Sequence, residues 1–102
     1  MEKDATETDA LQRTVRIVVS GRVQHVGFRV CVKKMAQHLS VTGVVMNLPD
    51  GTVEIRATTE PVILEKFISL LYSCPPRAIV RDLEITDTER HSYDGFSVII
   101  PE

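Results

Sequence analysis

One short segment concentrates the residues of this chain that could do chemistry. Ser20-Gly21-Arg22-Val23-Gln24-His25-Val26-Gly27-Phe28-Arg29 joins an alternating apolar stretch to a stretch of helical spacing. A glycine-bracketed loop leading into a helix N-terminus turns several backbone N–H groups toward one point, and the helix dipole strengthens their pull on a tetrahedral anion. Arg29 falls in the first turn of that helix, where a cation opposes the dipole, so its placement suggests a purpose other than helix stability. A guanidinium offers a planar fork of donors matched to two phosphate oxygens. A surface arginine on a loop would leave the same trace in the sequence. Asn47 is the second polar candidate, although asparagine just before a hairpin turn is also common simply as a turn residue.

Charge supports an anion without proving one. The net charge is -2 over 102 residues, yet there is no acidic residue from Ala10 to Pro49, a span that holds Arg13, Arg16, Arg22, Arg29, Lys33 and Lys34 with His25 and His38. Such a block should seek a negative partner. Six independent surface charges would give the same count. Residues 1–12 carry Glu2, Asp4, Glu7 and Asp9 against Lys3 and are expected to form a solvated acidic tail, leaving the folded domain to residues 13–102.

Several chemistries are excluded by what is missing. A module that reads RNA on a sheet stacks bases on aromatic side chains, and the segments Thr14 to Ser20 and Thr52 to Thr58 contain none. No Lys-Ser or Lys-Thr pair follows Gly27, so the phosphate lysine of a nucleotide-binding loop is absent. Neither cysteine has an arginine six positions later, which removes the thiolate loop of cysteine phosphatases. His25, His38 and His91 show no metal-binding spacing, so no metal or cofactor is expected. No nucleic acid or membrane partner is expected either, because no apolar run is long enough to span a bilayer. Cys31 and Cys74 are too few for a disulfide framework and read as small core residues in a reduced, cytoplasmic protein.

The elements that must hold the loop follow from periodicity. Val15, Ile17 and Val19 alternate as a strand; Phe28, Val32, Met35, Ala36 and Leu39 recur at helical spacing from about Gly27 to Leu39. Val41 to Leu48 and Thr52 to Thr58 are two more strands, closed into a hairpin by Leu48-Pro49-Asp50-Gly51. Pro61 opens a second helix with Leu64, Phe67, Ile68 and Leu71 as its apolar stripe, and Cys74-Pro75-Pro76 stops it. Ile79, Leu83 and Ile85 mark a fourth strand; Phe96, Val98 and Ile100 mark a fifth. The order β-α-β-β-α-β-β predicts an α+β, ferredoxin-like split βαβ sandwich, with two helices on one face of a mostly antiparallel sheet of four to five strands.

With those residues in view, a resemblance emerges. Gly21 to Arg29 resembles the acylphosphatase signature G-x-V-Q-G-V-x-F-R at every specified place but one, His25 standing where that family usually has glycine. Gly43-Val44-Val45-Met46-Asn47 is similar to the family's second motif, G-x-V-x-N; Asp50-Gly51-x-Val53 continues it, and Gly95-Phe96-Ser97-Val98 looks like its last strand. The resemblance covers roughly Arg13 to Ile100. It implies that Arg29 and the amides of the loop around Arg22, Val23, Gln24, His25, Val26, Gly27 and Phe28 bind phosphate, while Asn47 holds the attacking water. The implied reaction is hydrolysis of a small-molecule acyl phosphate to carboxylate and inorganic phosphate without a metal; a monomer is the default expectation. The alternative is a phosphate-binding module of the same fold that turns over weakly or not at all because His25 distorts the loop.

Overall fold

Apolar residues alternate through three central segments, and each becomes a strand with its apolar side turned inward. The computed structural model describes residues 11–100, so the expected acidic tail falls, except for residues 11 and 12, outside the described part. Strand β1 (Arg13–Arg22) buries Val15, Ile17 and Val19, and β3 (Val53–Thr59) buries Val53, Ile55 and Ala57 directly opposite them. Strand β2 (Thr42–Asn47) pairs antiparallel with β3, β4 (Ile79–Thr88) antiparallel with β1, and β5 (Phe96–Val98) parallel with β2. The spatial order is β4-β1-β3-β2-β5. This is the split βαβ arrangement that the element order predicts, with the parallel β5 as the exception to an otherwise antiparallel sheet.

Helix α1 (Phe28–Leu39) places Phe28, Val32 and Ala36 in the core, and helix α2 (Pro61–Leu71) adds Leu64, Phe67 and Leu71. Both apolar stripes join one cluster with the inward side chains of β1, β2 and β3. Phe67 meets Phe96 of β5 edge to face, their ring centroids 6.3 Å apart, which seats the short last strand. Pro61 occupies the start of α2, where its missing N–H removes no helical bond.

The opposite face of the sheet carries polar residues. Glu54 on β3 is nearly buried and accepts from Arg16 Nε at 2.7 Å and Arg56 Nε at 2.9 Å. Burial pushes the Glu54 carboxyl up, but hydrogen bonds and charge from Arg56 and Arg16 outweigh it and hold the group below its ordinary range.

The cysteines correct one expectation. Cys31 and Cys74 are not separate reduced core residues: they form a disulfide across 43 positions, their Cα atoms 5.9 Å apart. Cys74 is nonetheless buried in the core as expected, and Cys31 is half-buried against it. The bridge ties α1, two residues after Arg29, to the segment that follows α2.

Candidate active site

The loop between β1 and α1 is pinned at both ends. Pairing of β1 with β4 shifts register between Ser20 and Gly21, and Gly21 has φ 131 with β4 backbone so close that a Cβ would lie 2.0 Å from the Ile79 carbonyl oxygen. Only glycine fits that approach. Val23 and Phe28 are each 1% exposed and anchor the loop in the core, whereas Arg22, His25 and Gly27 face outward. Hydrophobic side chains thus fix the loop from beneath while its backbone stays accessible.

His25 and Gly27 take left-handed conformations, with φ 62 and φ 81. His25 therefore adopts a geometry that glycine would reach freely, at a cost of about 1 kcal/mol for a side chain with a Cβ. Gly27 is the N-cap of α1. No side chain caps this end, no acidic residue lies in the first turn, and the first helical bond runs from Cys31 N–H to the Gly27 carbonyl at 3.1 Å. The N–H groups of the first turn consequently have no helical partner and point out of the helix at its positive end.

Arg29 is half-buried and, with Val23, His25, Gly27, Phe28, Val30, Val98 and Ile100, lines a cavity of about 270 Å³. One wall carries donors and the other is aliphatic, supplied by Val30, Val98 and Ile100. Of the six cations in the acid-free block, Arg13 pairs with Asp87 and Arg16 with Glu54. The block is thus not one anion-seeking surface: those two arginines serve the sheet, while Arg22 ends β1 and Arg29 lies in the first turn of α1, one on each side of the loop.

Asn47 ends β2 on the inward face, in register with Val53 and two residues beyond the fully buried Val45. Its Oδ1 is buried and accepts no hydrogen bond among the described residues. Asn47 does not itself line the cavity beside Arg29, but Val98, which does, is the register partner of Val45. A more direct tie comes from Gln24, whose Nε2 donates to the carbonyls of Leu48 and Thr52, both at 2.9 Å. The loop is thereby joined to the residue that follows Asn47.

Arg22, exposed, is the last residue of β1, and Val26, half-buried, lies on the loop. Gln24 was expected to offer its main-chain N–H to the anion; its side chain, for which no role was expected, faces the hairpin. The aliphatic wall at Val98 and Ile100 was not anticipated. Its signal is the apolar alternation of the last strand, which says that those side chains are covered but not by what.

Comparison with known proteins places the chain in a family. The acylphosphatase family profile matches residues 15–98. A curated acylphosphatase of Archaeoglobus fulgidus is 45% identical over 84 residues, 82% of this chain and 94% of that protein. The structure of an acylphosphatase from Coxiella burnetii superimposes with a TM-score of 0.87 at 33% identity, covering 92% of this chain and 99% of that one. The acylphosphatase from Bacillus subtilis gives 0.81 at 34% identity, covering 84% and 97%. The chain belongs to the acylphosphatase family and hydrolyses acyl phosphates.

Proposed function

We propose that Arg29 and the main-chain N–H groups of residues 22–28 hold the phosphoryl group, and that Asn47 holds the attacking water. In this reading the water oxygen bonds to phosphorus as the bond from phosphorus to the acyl oxygen breaks, and the carboxylate leaves with the electron pair. Its conjugate acid has a pKa of about 4, so it departs without a general acid or a metal. The protein's task is to hold water in line and to neutralise charge on the equatorial oxygens. Arg29 serves the second need from a helix end that already favours anions. A phosphate oxygen takes the proton released by water; no carboxylate stands among the proposed residues.

The observation that carries this assignment is the buried Asn47 Oδ1, which has no donor among the described residues. Leaving a buried acceptor unmade costs about 1–3 kcal/mol, so the group gains a partner when its side chain turns toward the loop and meets water there. The aliphatic side of the cavity suits the organic part of the acyl group. One chain supplies every proposed residue, so a monomer is the working unit we propose.

We also propose a cytoplasmic setting, on the condition that it leaves Cys31 and Cys74 oxidised. No helix of the described residues is long and apolar enough to cross a membrane. Thiol alkylation of freshly lysed cells reads the cysteine state directly. The site assignment is tested by turnover of benzoyl phosphate in chelator. Arg29→Ala and Asn47→Ala should each lose roughly a hundredfold in kcat, the scale of removing one preorganised group. A rate indifferent to both changes refutes the assignment.

A further inference from the structure

We infer that Gln24 is a positioning residue that sets the place of Asn47 relative to the phosphate loop. The inference rests on the site roles proposed above. The Gln24 amide has two N–H donors, and both are engaged, one by the Leu48 carbonyl and one by the Thr52 carbonyl, each at 2.9 Å. These two carbonyls already close the hairpin turn: Leu48 N–H donates to Thr52 O at 2.9 Å, and Gly51 N–H donates to Leu48 O at 3.1 Å. Asp50 holds the same turn from within, accepting the Thr52 N–H at 3.0 Å and the Thr52 hydroxyl at 2.6 Å. Those bonds draw the Asp50 carboxyl below its ordinary range, the hydroxyl bond most of all.

The turn therefore has its own hydrogen bonds and does not need Gln24 for its shape. The loop likewise has its own anchors in Val23 and Phe28. What Gln24 adds is the relation between the two. It lies directly before His25 on the loop and reaches the carbonyl directly after Asn47, across 24 sequence positions. In-line attack requires the water and the phosphoryl group in one fixed geometry, and a displacement of about 1 Å can cost on the order of a hundredfold in rate. A side chain that locks loop to hairpin acts on that geometry while leaving the anion-binding amides in place.

This predicts a separation of rate from binding. Gln24→Met keeps the length of the side chain and removes both donors. Its kcat on benzoyl phosphate should fall ten- to a hundredfold, while the inhibition constant of inorganic phosphate stays within threefold of the wild type. Gln24→Glu places a carboxylate against two carbonyls at neutral pH and regains one donor when protonated. Its kcat relative to the wild type should therefore rise as pH falls from 8 to 5.

A Gln24→Met kcat within twofold of the wild type overturns the inference. Phosphate binding that weakens in step with kcat does so too, because Gln24 would then merely shape the cradle. Should Gln24→Met not fold by circular dichroism, the relative pH profile of Gln24→Glu decides, and a flat ratio is the negative result. Arg29→Ala is assayed alongside: if it matches the wild type, the site assignment has failed rather than the role of Gln24.

Discussion

The two ends of α1 are built for different purposes. At the C-terminal end Ser40 takes a left-handed φ of 61, its N–H donates to Gln37 O at 3.2 Å, and Val41 N–H donates to Ala36 O at 2.8 Å. With His38 in the last turn, that end caps the Ala36 and Gln37 carbonyls and places a basic residue where the dipole favours one. The N-terminal end has no side-chain cap and no acidic residue in its first turn, and it carries Arg29 against the dipole. Each end also holds a non-glycine residue in a glycine-like conformation, His25 just before the helix and Ser40 just after it. One end closes its own hydrogen bonds; the other keeps donors free for a ligand. A helix thus contributes stability from one terminus and binding capacity from the other.

The largest test of this contrast acts on the bridge that clamps the ligand-facing half. Closing a loop across 43 positions is worth about 4 kcal/mol in the chain-entropy account. Reduction should lower the melting temperature by on the order of 15 °C in a domain of this size. It should also weaken inorganic phosphate binding, because Cys31 lies two residues after Arg29. Unchanged phosphate affinity in the reduced, still folded protein breaks the claim that the N-terminal end depends on this clamp.

A smaller effect comes from the strained loop residue. His25→Gly relieves a left-handed side chain and should stabilise the fold by about 1 kcal/mol in denaturant titration. Because His25 lines the cavity, the same change should weaken phosphate binding a few-fold in a calorimetric titration. The smallest effect belongs to the far end. Ser40→Gly should stabilise by up to about 1 kcal/mol while leaving kcat and phosphate affinity as they are. If the two glycine variants behave alike in both readouts, the ends of α1 do not differ in the way described.

Much of the fold was legible because its signals are local. The alternation at Val15, Ile17 and Val19, the stripe at Phe28, Val32 and Ala36, and the Pro49-Asp50-Gly51 turn each act within a few residues, and the elements fall close to their expected bounds. Ile100 was read as part of the last strand, which instead ends at Val98; its side chain lines the cavity. The candidate site was legible in part. The glycine-bracketed loop and Arg29 stand out by type and spacing, but Asn47 resembles any turn asparagine until its strand is shown to end facing inward with Oδ1 buried.

Residue order alone determined the element sequence, the helix faces and the loop that opens α1, since backbone preference and apolar periodicity operate over one or two turns of chain. Tertiary structure decided that Arg16 would be bound to Glu54 and Arg13 to Asp87, that Cys31 would meet Cys74, and that the Gln24 side chain would face a hairpin. Unlike the Arg56–Glu54 pair, two positions apart, these contacts join residues 24 or more positions apart. Their meeting depends on strand register and helix packing, which exist only once the core has formed.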